Sequence, residues 1–234
     1  MKKLVFIITM ACISIVCVAQ TSYLKCIYTE TPHVSDQVRQ MQNVYLRDMV
    51  VSKFKKEKKT FTMYATPGKY LFVKSSNKTE GGDMLIGAVN SIYIDLKSDS
   101  IITEKTIIDK SYVIKDIDIP QRWKMTEETR LINGKKCKKA IARGLMKIVA
   151  WYTEDIPFRH GPMGYHGLPG LIVELHTPSD IYALKSFEYL KQEPQMKSPA
   201  KGKVVTATEF EKLQNDYFAR FGEAKPGDVV IVEK

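Results

Sequence analysis

A glycine- and proline-dense run at residues 161–172 constrains the fold of this chain more than any other feature. It reads GPMGYHGLPGLI and leads into Leu171–Leu175, which has the composition of a buried strand. Pro169 supplies a φ of about −65° and Gly170 tolerates the positive φ that follows, so the run predicts a type II turn at Gly167–Gly170. We interpret five residues as setting the shape of a rigid loop: Gly161, Pro162, Gly167, Pro169 and Gly170.

The first residues have the layout of a secretory signal peptide. Lys2 and Lys3 precede an apolar stretch, and Cys17-Val18-Ala19 provides a small-residue cleavage site. The apolar stretch is shorter than the roughly 20 residues that a membrane-spanning helix needs. We therefore expect residues 1–19 to be removed after Ala19, and the mature chain to be exported to the periplasm or to associate with the outer membrane. A membrane anchor and lipidation at Cys17 are the alternatives.

The chain is basic, with 36 lysines and arginines against 26 acidic residues. The basic residues are scattered and lack the interleaved aromatic residues and glycines of a nucleic-acid-binding motif. The charge therefore does not predict a nucleic-acid partner. For an exported protein, peripheral contact with an anionic membrane surface fits this charge better.

Short alternating segments separated by turn signals predict a mainly β structure. The turn signals include Thr66-Pro67-Gly68, Lys97-Ser98-Asp99, Asn133-Gly134 and Thr177–Asp180. No long helical segment separates neighbouring strands in the middle of the chain, which favours antiparallel pairing over a parallel sheet. We expect one β-rich domain over residues 20–234, built as a large, curved antiparallel sheet in the form of an open, half-barrel-like meander.

One helix is predicted near the end of the chain. Thr206 and Glu209 have the spacing of a capping box, in which each side chain binds the backbone N–H of the other residue. Phe210, Leu213 and Tyr217 follow on one helical face. This C-terminal helix should pack on the sheet through that apolar face.

Two cysteines, Cys26 and Cys137, remain in the mature chain. An even number of cysteines in an oxidising compartment is consistent with a disulfide. Two separate buried thiols on different strands are the alternative, and the sequence does not decide between them.

Five motifs carry a resemblance to a known family. They are Trp123-Lys124-Met125-Thr126, Cys137–Ala140, Ala150–Thr153 with Ile156-Pro157, Gly161-Pro162 and Gly167–Ile172. Together they resemble the GLPGLI family, whose exported members are known mainly from Bacteroidetes, and the resemblance covers residues 83–190. The family has no established biochemical activity, so the resemblance implies a compartment more than a mechanism. It assigns no role to Phe158, Arg159 and His160, which lie between two of the motifs.

The residues best suited to catalysis or metal binding are the two loop histidines, His160 and His166. We expect both to face solvent in the loop. In an alternative reading they join Glu174 to activate a water in a metal-assisted hydrolase. Their spacing matches no standard zinc pattern, so we predict no metal and no cofactor.

Aromatic residues near the loop indicate a binding surface. Trp151 and Tyr152 are neighbours on a predicted strand and should face opposite sides of the sheet, so that only one of them lies in the core. We predict that six residues contribute to ligand or partner binding: Trp123, Trp151, Tyr152, Tyr165, Leu168 and Pro169.

The sequence thus favours a non-enzymatic binding or accessory protein of the cell envelope. The concave face of the sheet would hold an apolar ligand, such as a lipid, or a peptide, or would dock an outer-membrane protein. The constrained loop would form a fixed rim of that site.

Overall fold

The computed structural model describes residues 23–33, 59–75, 86–144 and 147–220, together with isolated positions between 42 and 51. The predicted signal peptide lies outside the described residues. The strands among the described residues form one sheet, and a helix follows near the C-terminal end, which confirms the predicted mainly β fold.

Twelve strands make up this sheet. They are β1 (Tyr23–Pro32), β2 (Lys59–Ala65), β3 (Lys69–Lys74), β4 (Ile86–Asp95), β5 (Ser100–Ile107), β6 (Lys110–Ile117), β7 (Trp123–Ile132), β8 (Lys135–Ala142), β9 (Val149–Thr153), β10 (Leu171–His176), β11 (Asp180–Leu190) and β12 (Lys203–Val205). Their order across the sheet is β12-β6-β5-β4-β3-β2-β1-β11-β10-β9-β8-β7.

The sheet is an open meander with two halves. Strands β2 to β6 follow one another on one side of β1, and β11 to β7 run back on the other side, so that β1 pairs with both β2 and β11. Neighbouring strands are antiparallel except at one edge, where the short β12 runs parallel to β6. The edges, β12 and β7, do not meet, as expected for an open sheet.

Local turn chemistry fixes the register of the hairpins. Between β7 and β8, Asn133 and Gly134 have φ angles of 50° and 75°, as a tight two-residue turn requires. Between β2 and β3, the Thr66 hydroxyl accepts a hydrogen bond of 2.9 Å from the Lys69 backbone N–H. The turns predicted from sequence at these two places are confirmed.

The helix α1 (Ala207–Arg220) begins with the predicted capping box. The Glu209 backbone N–H donates to the Thr206 hydroxyl at 3.1 Å, and the Thr206 backbone N–H donates to the Glu209 carboxylate at 2.8 Å. Phe210 then packs edge-on against Tyr112 of β6, with ring centroids 5.6 Å apart. The helix therefore covers the β6 end of the sheet and forms a small second core there.

The main core lies on one face of the central strands. Along β1 the buried positions alternate, and Leu24, Cys26 and Tyr28 are fully buried. Cys137 of β8 is fully buried as well, and both cysteines are free thiols. Strands β11, β10 and β9 lie between β1 and β8. The structure therefore has the two separate buried thiols and not the disulfide, because the sheet order keeps their strands apart.

Candidate binding pocket

The loop between β9 and β10 packs onto the opposite half of the sheet. The Tyr70 hydroxyl of β3 donates to the Gly161 carbonyl oxygen at 2.8 Å and accepts from the Gly164 backbone N–H at 3.0 Å. A Cβ at Gly164 would be 3.5 Å from the side chains of Ile92 and Ile94 on β4. The glycine- and proline-rich loop thus connects the two halves of the curved sheet and fills part of its concave face.

The glycines of this loop serve two different purposes. Gly167 has a φ of 94°, whereas Gly170 does not have a positive φ. The predicted type II turn, which needs the positive φ at Gly170, is therefore wrong. Gly170 is required for space, since a Cβ there would be only 2.0 Å from the Thr153 carbonyl oxygen, and Gly161 is required in the same way against the Ile172 side chain.

His160 and His166 lie side by side, joined by an isolated β-bridge, with ring centroids 6.4 Å apart. They are only 4% and 6% exposed. The expectation that they face solvent is wrong, because the loop folds onto the sheet and buries both rings. The His166 ring bonds the buried Asp118 carboxylate at 2.8 Å.

The His160 ring is held in a neutral form. Its Nε2 lies 3.2 Å from the Thr66 carbonyl oxygen, which can only accept a hydrogen bond, so Nε2 carries the proton. Burial, reinforced by the neighbouring His166, lowers the pKa of His160 to about 4. The Nδ1 atom is buried without a hydrogen-bond partner among the described residues.

Glu174 belongs to a different cluster. Its carboxylate bonds the His176 ring and the Arg130 guanidinium, and the hydrogen bond to His176 together with Arg130 lowers its pKa. Among the described residues, no three side chains of His, Cys, Asp or Glu come together as metal ligands. The structure thus brings His160 and His166 together without Glu174, and the set required by the hydrolase reading is not assembled.

Trp151 and Tyr152 are both buried, at 8% and 3% exposure, so the expectation that only one lies in the core is wrong. The Arg130 guanidinium lies 4.0 Å from the centre of the Trp151 ring, and Lys139 lies 5.9 Å from it. These side chains cover the face of β9 that an alternating strand would leave open. The aliphatic stems of arginine and lysine commonly shield apolar surface in this way.

The other residues predicted to bind a ligand are dispersed. Leu168 is fully buried in the core, whereas Pro169 is exposed. Trp123 contacts Tyr165 at 6.2 Å between ring centroids and donates its indole N–H to the His166 carbonyl oxygen at 2.8 Å. These contacts hold the loop against β7 and do not form a groove.

A pocket of about 1110 Å³ opens beside the same loop. Its apolar wall consists of Pro67, Leu96, Pro120, Pro157, Phe158 and Leu190. The remaining wall residues are Thr66, Arg159, His160, His166, Gly167, Tyr189 and Lys191. None of the six residues predicted to bind a ligand lines it, although Gly167 from the predicted shape-setting residues does.

Sequence reasoning missed this pocket because its wall comes from segments that are far apart in the chain. The hairpin turns after β2 and β4, the loop before β7, the loop before β10 and the end of β11 all contribute. The available signal was the segment Phe158–His160, which lies between two family motifs and to which the resemblance assigns no role. All three of its residues line the pocket.

Comparisons with known proteins bear on a segment of the chain and on its fold. A family model described as "Protein of unknown function (Porph_ging)" matches residues 142–174, which include β9, the loop and most of β10. No curated protein matches the chain. No helix among the described residues has the length and apolar character to cross a membrane.

Two solved structures share the fold. "Structure of PNGF-II in P21 space group" aligns with a TM-score of 0.55 and 17% identity over 82% of this chain. "Structure of PNGF-II in C2 space group" aligns with a TM-score of 0.53 and 15% identity over 82% of this chain. The chain spans about a third of the length of each of these structures, 33% and 32%. The chain is therefore similar in fold to one part of PNGF-II, and its loop segment is similar to a family of unknown function.

Proposed function

We propose that this chain is an exported, GLPGLI-type binding protein of the cell envelope, and that the pocket beside the glycine- and proline-rich loop is its binding site. The signal peptide would be cleaved after Ala19, and the mature protein would act in the periplasm or at the outer membrane. Its ligand would be an apolar molecule or a peptide.

The pocket is the observation on which this proposal depends. Binding sites for small molecules usually have volumes of roughly 300–1,000 Å³ and mainly apolar walls with a few polar groups. At about 1110 Å³, with leucines, prolines and a phenylalanine in its wall, this pocket has the size and character of such a site.

The loop gives the pocket a fixed shape. Hydrogen bonds from Tyr70 and from Trp123 hold the loop in place. The buried residues His160 and His166 of this loop form part of the pocket wall. A site that is already formed loses less conformational entropy when a ligand binds. This rigidity supports a binding function in which the loop serves as a permanent rim.

Native mass spectrometry of the mature protein recovered from the periplasm of its own cells tests the proposal. We expect an added mass that corresponds to a lipid-like molecule or a peptide. The variant Tyr189→Ala removes a half-exposed aromatic ring from the pocket wall and should weaken the affinity for the ligand about fivefold, as expected for the loss of an aromatic contact, so that less ligand is retained.

Leu131→Ala serves as the matched control. Leu131 is a 75% exposed residue of β7 and does not line the pocket, so this variant should retain the ligand. A stable complex with an outer-membrane protein that survives Tyr189→Ala would instead favour a docking role at another surface. A bare chain, with neither ligand nor partner, would contradict the proposal.

A further inference from the structure

We propose that the pocket selects an anionic amphiphile, a molecule with an apolar chain and a terminal carboxylate or phosphate, and that Arg159 and Lys191 bind its anionic group. This inference rests on the proposed binding function. It assigns a ligand class to the pocket and a role to two residues that neither the family resemblance nor the fold accounts for.

The charges in the pocket wall have one sign. Arg159 and Lys191 line the pocket, and none of the described residues in its wall is an aspartate or a glutamate. The buried carboxylate of Asp118, which contacts the pocket residue His166, is directed at the His166 ring. The pKa of His160 is lowered to about 4, so this residue adds no charge near neutral pH. The wall therefore presents two cations to a bound molecule.

Neither cation has a counter-ion in the described part of the chain. The salt bridges there include other lysines and arginines, among them Lys25, Lys138 and Arg130, but neither Arg159 nor Lys191. Most basic side chains on the described strands also have no salt bridge, so Arg159 and Lys191 are distinguished by lining one pocket together. Two unmatched cations at one pocket favour a ligand that supplies the negative charge.

The Arg159 side chain is already oriented. Its Nη2 donates to the Gly167 carbonyl oxygen at 2.9 Å, a bond to a neutral group that leaves the positive charge uncompensated. A guanidinium has five N–H donors in a planar fork that matches a carboxylate or a phosphate. Gly167 thus holds Arg159 in place while the remaining donors can serve a ligand.

The two cations are among the exposed residues of the pocket wall, and the apolar wall extends from exposed prolines to buried positions. Arg159 and Lys191 are exposed, whereas Phe158 is only 7% exposed and Leu190 is half-buried. Tyr189, 52% exposed, contacts Phe158 with ring centroids 6.2 Å apart. A molecule bound here would place its anionic end at the rim and its apolar chain against the rings and leucines.

Isothermal titration calorimetry with matched probes tests this inference. Decanoate and decyl phosphate carry the anionic group, and decanol has the same alkyl chain without it. We expect the two anions to bind more tightly than decanol, and added salt to weaken the anions only. Arg159→Gln and Lys191→Gln should each weaken decanoate binding about threefold, as expected for exposed charge pairs, and leave decanol unchanged.

Lys185→Gln is the control, because Lys185 is an exposed residue of β11 that does not line the pocket. Urea unfolding of each variant verifies that it is folded. Lys191→Gln alone keeps the test valid if Arg159→Gln disturbs the loop, since no hydrogen bond or salt bridge of Lys191 is found among the described residues.

The outcomes separate this inference from the proposed function. If the three probes bind with equal affinity, or if Lys191→Gln and Lys185→Gln behave alike, the anion selectivity is wrong while the pocket remains a binding site. If none of the probes binds, both proposals lose their support. A preference for decyl phosphate over decanoate would identify phosphate as the anionic group, and the reverse would identify carboxylate.

Discussion

Gly170 lies so close to β9 that a Cβ at this position would be 2.0 Å from the Thr153 carbonyl oxygen and 3.0 Å from the Glu154 Cα. Both neighbours are backbone atoms, one in the buried strand β9 and the other in the residue that follows it, so neither can move aside easily. The smallest side chain would therefore push the loop off the sheet.

We expect Gly170→Ala to lower the free energy of unfolding by about 3 kcal/mol, the upper end of the usual range for overpacking. Urea denaturation of the wild type and the variant measures this difference in the free energy of unfolding. Gly144→Ala is the control, because a Cβ at Gly144 would meet none of the described residues within 4 Å and Gly144 has no positive φ, and it should change stability by less than about 0.5 kcal/mol. Equal stability of the two variants would show that the loop does not approach β9 as closely as described.

A second effect at the residue scale is the neutral state of His160. The pKa of its ring is about 4 in the folded chain, against an ordinary value of 6.5. Between these two values the unfolded chain binds the proton more readily than the folded chain, so acid favours unfolding. The stability due to the neutral ring is fully present above about pH 6.5 and is lost as the pH falls toward about 4.

Protonation of His160 should therefore lower the wild-type free energy of unfolding by on the order of 3 kcal/mol as the pH falls from about 6.5 to about 4. His160→Gln keeps an N–H donor for the Thr66 carbonyl oxygen but does not titrate. We expect urea unfolding at a series of pH values to show a shallower decline for this variant. Parallel pH profiles for the wild type and the variant would contradict the assignment.

At the scale of single elements, the local signals for a hairpin turn and for a helix cap were reliable, whereas the local signal for a type II turn at Gly167–Gly170 was not. The Asn133-Gly134 turn and the Thr206–Glu209 capping box could be predicted because each depends on residues within one turn of the backbone. The reason for glycine at position 170 could not be predicted, because Gly170 is constrained by Thr153, a residue of another element. The parallel pairing of β12 with β6 was missed for the same reason, since it depends on a contact distant in sequence.

The capping box provides a test of α1. Thr206→Ala removes the hydroxyl that accepts from the Glu209 backbone N–H and should destabilise the helix by about 1 kcal/mol. Amide hydrogen exchange over residues 207–217 should report this loss. Thr208→Ala, an exposed position in the first turn of the same helix, should leave exchange unchanged or slow it slightly. Equal effects of the two substitutions would mean that the cap does not hold the helix.

At the scale of the whole molecule, the order of the strands in the sheet determines which distant parts of the chain can come into contact. Strand β1 joins the two halves of the sheet, and the loop before β10 then crosses to β3 and β4. Composition and turn spacing predicted the open antiparallel sheet, since these depend on the alternation of residue types. The pocket could not be predicted, because its wall depends on how strongly the sheet curves and brings distant turns together. The aromatic residues that stood out in the sequence proved to be parts of the core and supports of the loop.

The same sheet order makes a prediction about the thiols. Cys26 and Cys137 are buried on strands separated by three others, and burial raises the pKa of both thiols. We expect a thiol reagent to modify neither cysteine in the folded protein and both after denaturation, in protein purified from its own cells without reductant. A denatured chain that is two hydrogens lighter and unreactive would instead demonstrate the disulfide.

The most direct test of the binding pocket is a chemical-shift titration of the isotope-labelled mature protein with decanol. We predict that the shifts change first at four residues of the pocket wall, Leu96, Phe158, Tyr189 and Leu190, and that those of the exposed β7 residues Met125 and Leu131 remain constant. Changes confined to β7, or no changes at saturating decanol, would contradict the assignment of this pocket as the site where the protein holds its ligand.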